Sequence, residues 1–537
     1  MSDSCNFKHF LKRSVTKVKL LTSFNFLSSV STFCLKVLLI IILLPIFVLL
    51  ICPVYLSRFV VIALSKLVRP DLVKILGVRD MFYAIDDITT CPKSSIVVTL
   101  VFKGQLKKEM MIKCFEKSVT KQLPKTKALM YPELKRYLVK WLGFVFWKED
   151  NEFSSENHIK YVDTTQFKGE ILDEKVLSEI EKRLVQEPYL EKRSPWCINI
   201  LQNYVPQEFT QGVQDANKNF VSVDSSNVEQ YSVALFKVHH SFVDGFSILN
   251  LIMREFVDVP EGQLSMPSFP KRSLLRTLLI NLVLIFKGPY DTVSDCMMEH
   301  DTNPWYLTRE RVTNIINSAT SQRIPTQKIK SIAKANCASF TGVVVAAISG
   351  GIRRYMLERG EKVEPKSMFT CLAPFPVQGH PDTLGNYVSD CYVNFPIGIS
   401  DPLLRLKDVE RQLHEIKHST LALSSFAMQP IFGGLYHWMV KYCMEFAMSK
   451  STGIFSSFPC PREESMGPCG AVMDTYFTGG HDSPGIGIQF LALNYNKGWK
   501  LKIQADKGTL ASDAEVGALL AHILKELDNY ESNSYDV

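Results

Sequence analysis

Residues 232–248, SVALFKVHHSFVDGFSI, constrain the fold more than any other stretch. An apolar strand runs into two histidines, then into Asp244–Gly245, then into a helical pattern. Strand side chains alternate between faces. Ala234, Phe236, Val238 and His240 therefore share one face, and Val233, Leu235, Lys237 and His239 the other. The two imidazoles point in opposite directions and do not suit a single metal ion. One can face a cleft while the other packs or hydrogen-bonds behind the sheet. Gly245 permits a tight turn, which can fold the Asp244 carboxylate back to anchor the loop and fix an imidazole tautomer. A neutral histidine, with a pKa of about 6.5, is the natural general base at cellular pH. Two histidines at a strand end, taken alone, also fit a satisfied structural pair.

Around this segment the chain reads as mixed α/β. Residues 95–102 (SIVVTLVF) and 231–240 are strands, and 106–120, 173–186, 340–354 and 402–418 are helices. Residues 486–495 and 499–505 are strands joined by an Asn496–Lys497–Gly498 turn, and 513–527 is a terminal helix capped by Ser512. With 537 residues, 46% of them hydrophobic, the chain can build sizeable cores. Sixty-one basic against 54 acidic residues give a formal charge of +7. That suits an anionic membrane surface or a phosphate-bearing ligand, and falls short of the basic stripe of a nucleic-acid binder. Thirteen cysteines without a CxxC pair exclude a disulfide-rich scaffold and a zinc ribbon. No asparagine opens an N-x-S/T sequon, which points to a reducing, unglycosylated compartment.

Residues 37–56, VLLIIILLPIFVLLICPVYL, carry no charge and are long enough to span a ~30 Å hydrocarbon core. The run lies too far from Met1 for a cleaved signal peptide. Lys8, Lys12, Arg13, Lys17, Lys19 and Lys36 precede it and argue for a cytosolic N-terminus. A single span then puts the remainder in the lumen. Pro45 and Pro53 interrupt the run, and 54–68 continues as an amphipathic stretch with Arg58 and Lys66, so a bent hairpin returning to the cytosolic face fits equally well. A second apolar stretch, 278–286, is too short to cross a bilayer and reads either as a membrane-interfacial segment or as a buried helix. Residues 265–276, rich in Pro, Ser and basic side chains, read as a linker.

The histidine segment contains HHxxxDG: His239, His240, Asp244 and Gly245. It is similar to the active-site motif of the CoA-dependent acyltransferase superfamily, and the chain from about Asp80 onward resembles the wax ester synthase/diacylglycerol acyltransferase family. Asp80–Met81–Phe82 resembles that family's opening Asp-x-x-Phe, one residue short; Ser194–Pro195–Trp196 its Pro-Leu-Trp; Leu384–Gly385–Asn386 its Leu-Gly-Asn; and residues 456–461 its Ser-Asn-Val-Pro-Gly-Pro. The chain departs from the pattern at Thr341–Gly342, where the family has Asn-Asp, and at Ser457 and Cys460.

The resemblance implies two chloramphenicol-acetyltransferase-like halves enclosing an interface tunnel, after an N-terminal membrane segment. The division is 1–75 (anchor at 37–56, extending to 68 in the hairpin reading), 76–264 (first half, with the motif), 265–300 (linker) and 301–537 (second half). It implies a membrane-bound acyl-CoA-dependent O-acyltransferase acting on a long-chain alcohol or diacylglycerol. His240 would be the general base, Asp244 structural, and His239 and Gly245 supporting. No metal and no cofactor beyond the acyl-CoA co-substrate is implied, and no nucleic-acid partner. Membrane lipid is the expected environment, at the endoplasmic reticulum or a lipid droplet with the catalytic part facing the cytosol.

Competing signals are weaker. His414–Glu415–Ile416–Lys417–His418 is a literal HExxH, the zinc-hydrolase motif. The apolar stripe of that helix is Leu406, Val409, Leu413 and Ile416, and the histidines lie off its centre, toward Arg411; a solvated face is expected. No GxSxG or Walker A motif occurs, and Gly485–Ile486–Gly487 lacks a third glycine. The Met- and aromatic-rich stretch 428–448 is expected to pack in a core, with lining of a substrate tunnel or membrane contact as the alternative. A catalytically inactive lipid-binding member of the fold is the main rival to the enzyme.

Overall fold

The computed structural model describes residues 3–123, 126–206, 229–259, 273–299, 303–377, 379–480 and 485–533. Two large sheets organise the body. The first has the order β13–β14–β2–β7–β6–β5, with β2 at Ser95–Lys103, β5 at Ile159–Tyr161, β6 at Trp196–Tyr204, β7 at Tyr231–His239, β13 at Ser465–Gly467 and β14 at Gly470–Gly479. The second has the order β11–β10–β12–β15–β16–β8. These strands are β8 Ile316–Thr320, β10 Phe369–Pro376, β11 Val388–Phe395, β12 Gly453–Pro459, β15 Ile488–Tyr495 and β16 Gly498–Asp506. A small third sheet joins β1 (Leu72–Ile75), β4 (Phe144–Glu149) and β3 (Arg136–Trp141).

The boundary between 264 and 301 does not divide the sheets. β13 and β14, from residues 465–479, pair into the first sheet, with Phe102 opposite Val472. The later part of the chain thus supplies one edge of the sheet that carries the histidines.

All nine residues of β7 are buried because both of its faces are covered. Ala234, Phe236 and Val238 enter the largest core with Ile248 and Ile252. Val233 and Leu235 pack beneath Leu177, Ile180 and Leu184 of the helix Glu174–Gln186. Asp173 caps that helix by accepting from Lys175 and Val176 N–H. The helix Pro402–His418 begins and ends as the sequence predicts, with Asp401 accepting from Leu404 N–H. Asn496 and Lys497, at φ 45° and 61°, form the two-residue turn of the last hairpin.

The N-terminal helix Asp3–Val68 continues through Pro45 and Pro53, so no hairpin turn interrupts it. Its last turns grip the body. Tyr55 donates to Pro430 O (2.5 Å), Tyr436 to Ser57 Oγ (2.7 Å), and buried Arg58 to Leu76 O (3.3 Å). Among the described residues one segment, Val48–Val68, is long and apolar enough to cross a membrane.

The stretch 278–286 is not a buried helix. It belongs to the helix Leu274–Cys296, of which Gly288 and Asp291 are buried while Leu278, Leu279, Leu282 and Phe286 are exposed. Of the expected linker 265–300, residues 265–272 and 300 lie outside the described residues. The stretch 428–448 packs in the core only in part: Leu435 and Val440 are buried in the largest core, with Phe432, Met439 and Cys443 packed against it. It forms parts of the helices Leu421–Gly433 and His437–Met448, which wall a cavity with Met428, Phe432 and Met444 and expose Trp438 and Tyr442.

Candidate active site

The end of β7 sorts the two histidines. His239 is the last strand residue and is fully buried. Ser241 N–H donates to its Nδ1 (3.3 Å), which leaves Nε2 to carry the proton toward Asp86 Oδ2 at 3.1 Å. Burial would raise the Asp86 pKa. The His239 imidazole and the N–H groups of Lys93 and Ser94 outweigh it and hold the carboxyl at about 2. Both nitrogens of His239 are therefore engaged on the closed side of the sheet.

His240 begins a short 3-10 turn, His240–Phe242, and its side chain is half-buried. Its N–H donates to Ser94 O (2.7 Å) and its carbonyl accepts from Asn386 Nδ2 (2.8 Å). The ring stacks on Tyr83 with centroids 3.8 Å apart. Nδ1 is buried without a hydrogen-bond partner, so Nε2 is the nitrogen left to face the cavity. Burial pushes the pKa down to about 4, against the opposing pull of the Asp244 charge. The ring is neutral at cellular pH.

Asp244 turns away from that ring. It caps the helix Gly245–Glu255 by accepting from Ser247 N–H (2.7 Å) and also accepts from Tyr387 N–H (2.8 Å). Its main charged partner is His380, whose Nε2 lies 3.0 and 3.2 Å from the two carboxylate oxygens. Nδ1 of His380 sits 2.9 Å from Pro381 O. Both neighbours are acceptors, an arrangement that suits an imidazolium. Burial lowers the His380 pKa, but the Asp244 hydrogen bond and charge outweigh it and the net shift is upward. Burial likewise would raise Asp244, and His380, Ser247 and Tyr387 bring it below the usual carboxylate range.

The loop that carries His380 stitches the motif to the second sheet. Gly385 O accepts from Asp244 N–H (3.2 Å) and Ser247 Oγ (2.7 Å), and Asn386 Nδ2 bridges His240 O to Asp80 Oδ1 (2.9 Å). Gly385 has φ +151°, a conformation side chains disfavour. At Gly245 an added Cβ would lie 2.4 Å from the Phe458 ring, so glycine is required by close approach. Leu384–Gly385–Asn386 was visible as a motif; the roles of His380, Asp80 and Asp86 were not, because their partners lie far away in sequence.

Two cavities meet here. The first, about 180 Å³, is lined by Tyr83, His240, Gly245, Asp390, Ser456 and Phe458, among others. The second, about 270 Å³, lies under the helices Leu274–Cys296, Leu421–Gly433 and His437–Met448. Tyr83, Leu372, Val388, Asp390 and Met444 line both and form their common wall. Thr341, where the family pattern has Asn, lines a third cavity that shares Pro374 and Phe458 with the first.

His414 and His418 stack on each other on an exposed helix face, with His418 Nδ1 donating to His414 O and Glu415 held by Arg411. The HExxH is a solvated face. Among the described residues no cluster of three or more His, Cys, Asp or Glu is arranged to hold a metal ion.

Residues 384–529 match the model of the WS/DGAT C-terminal domain. The chain is 20% identical over 309 residues to O-acyltransferase WSD of Acinetobacter baylyi, a match covering 53% of this chain and 61% of that protein. Among solved structures it is similar to the wax ester synthase/diacylglycerol acyltransferase from Marinobacter aquaeolei VT8 (TM-score 0.54, 14% identity, 86% of this chain and 100% of that one). It is also similar to the TRI3 trichothecene 15-O-acetyltransferase from Fusarium sporotrichioides (TM-score 0.57, 11% identity, 85% and 94%). At these identities the structural likenesses show a shared mixed α/β fold.

Proposed function

We propose that the chain is a member of the wax ester synthase/diacylglycerol acyltransferase family, a reading its match to that family's C-terminal domain supports, and that it moves a fatty acyl group from acyl-CoA to the hydroxyl of a long-chain alcohol or diacylglycerol. The observation that carries the reading is His240. It is a neutral imidazole, unsatisfied at Nδ1, that lines the first cavity and stacks on Tyr83, a residue of the wall shared with the second. Nε2 takes the proton of the acceptor hydroxyl as the oxygen attacks the thioester carbon. A tetrahedral oxyanion forms, the carbon–sulfur bond breaks, and the CoA thiolate takes the proton from the imidazolium. No covalent enzyme intermediate is required. Asp244 holds the turn and His239 holds the strand end; neither touches the reacting atoms.

The two cavities then act as the ends of one tunnel. In this reading the His240 cavity, which Lys93 lines, takes the anionic CoA, and the second, lined by Met428, Phe432 and Met444 among others, takes the apolar acceptor chain. The second cavity lies beneath the surface most adapted to lipid. Leu274, Leu275, Leu278 and Phe286 are exposed on one wall helix, Trp438 and Tyr442 on another, and Leu49, Leu50, Leu56 and Phe59 on the N-terminal helix. Aromatic side chains of this kind favour the membrane interface. Acceptor and product both partition into a bilayer, so the reading includes a membrane-bound enzyme at the endoplasmic reticulum or a lipid droplet, its active site on the side where acyl-CoA is made.

The test is product identification in microsomes from cells lacking neutral-lipid synthesis, given labelled palmitoyl-CoA and either hexadecanol or diacylglycerol. Label in wax ester or triacylglycerol is expected. Label in neither product, with the protein present and folded, would overturn acyl transfer and leave a lipid-binding member of the fold.

A further inference from the structure

Asp390 is a half-buried carboxyl, facing the cavities, that the mechanism does not use. β11 alternates, so Val388, Asp390 and Tyr392 face the second cavity while Cys391 and Val393 enter the core behind. Asp390 lies in the wall common to both cavities, among Leu372, Val388 and Met444. Burial is the sole influence on its pKa and pushes it up to about 6. Neither Arg79 nor Lys450, the cations of the second cavity, acts on its pKa. Arg79 lies over the Phe426 and Tyr387 rings, and Lys450 donates to Met298 O. Asp291 is held by Lys287, and Asp295 is a second carboxyl that burial and Asp291 push up to about 6. Tyr83, stacked on His240, has Asp390 as its strongest carboxylate neighbour. The carboxyl thus stands one aromatic ring away from the catalytic imidazole.

A carboxyl in apolar surroundings is unfavourable unless it is hydrogen-bonded. When an acceptor chain fills the cavity and displaces water, the head of the acceptor can supply that hydrogen bond. The reacting hydroxyl gives its proton to His240. A carboxylate can only accept, so an ester or ether oxygen does not serve it, whereas a hydroxyl does. A plain alcohol leaves the group unpaired, and sites built around a polar partner discriminate strongly against ligands lacking it.

We propose that Asp390 is an acceptor-binding, specificity-determining residue that takes a second hydroxyl next to the reacting one, so that the preferred acceptor is a long-chain lipid with a diol head, the chemistry of a monoacylglycerol. The assignment rests on the acyl-transfer reading above and chooses among its acceptors.

The experiment compares wild type, Asp390→Leu and Asp390→Asn, each as the full chain in lipid vesicles, with hexadecanol and its vicinal-diol counterpart as acceptors. The quantity read is the ratio of kcat/KM for diol over alcohol. Wild type should favour the diol by about tenfold or more. Asp390→Leu should shift the ratio about tenfold toward the alcohol, mainly through the KM of the diol. Asp390→Asn, which keeps an accepting oxygen, should retain the preference, and monoolein should follow the diol in all three proteins. An unchanged ratio in Asp390→Leu would overturn the proposal. If no acceptor is acylated, the acyl-transfer reading fails. Displacement of a fluorescent long-chain alcohol by the same two ligands then tests Asp390 without turnover. Tighter diol binding in wild type alone would support the assignment, and equal binding in wild type and Asp390→Leu would overturn it.

Discussion

His239 and His240 are adjacent in sequence, and their surroundings are opposites. On the closed side of the sheet, His239 has both nitrogens engaged, by Ser241 and Asp86, beneath the edge of Tyr189. On the cavity side, His240 has an unpartnered Nδ1, a stacked tyrosine and a pKa pushed down to about 4 by burial. A buried polar group with its bonds complete holds a fold together, whereas one left incomplete beside a cavity is available to a ligand. The alternation of one strand produces both roles from a repeated residue.

The contrast can be broken from either side. His239→Ala leaves Asp86 buried without its imidazole and should destabilise the fold by about 3 kcal/mol. Chemical denaturation reads that loss, and the activity per folded molecule should fall far less. A variant that folds like wild type but loses its chemistry would show that both histidines act on substrate. Gly245→Ala drives a methyl group into the Phe458 ring beside His240 and should lower kcat about tenfold or more. Steady-state kinetics checks this, with the melting temperature as control.

The pH profile sharpens the comparison. The His240 pKa is depressed, so the basic form is present above about 4 and is lost below it; kcat/KM should show no histidine limb near neutral pH. His380 behaves in the opposite sense, since its pKa is raised. The stability its ion pair contributes is complete below about 6.5, the ordinary histidine value, and is lost as pH rises through the raised value. Thermal melts of wild type should therefore decline on the alkaline side more than those of His380→Ala. The smallest effect belongs to the exposed pair, where His414→Ala and His418→Ala should each change stability by no more than about 0.5 kcal/mol and leave activity unchanged.

What the sequence made legible was local. The strand, the turn and the helix of residues 232–248 follow from alternation, a glycine and an apolar helical face. The helix Pro402–His418 follows from its apolar stripe of Leu406, Val409, Leu413 and Ile416 at helical spacing. Opposed histidines follow from the two-residue period alone. What was not legible arises from long-range closure. His380 reaches Asp244, and Asn386 joins Asp80 to His240, across more than 130 residues with no local signal. The entry of β13 and β14 into the first sheet is of the same kind. The stretch 428–448 was legible only in part: it both packs on the core and walls a cavity, and aromatic and Met side chains at helical spacing look alike in the two settings. The run 37–56 has the same apolar texture in a hairpin as in the uninterrupted helix that forms.

The most direct test of the central claim is the kcat/KM for acyl transfer by purified His240→Ala, measured beside wild type and normalised to folded protein by its thermal transition. A loss of about a thousandfold is expected with an essentially unchanged transition, because His240 makes few bonds through its ring. A His240→Ala protein that is folded and transfers acyl groups at close to the wild-type rate would contradict it.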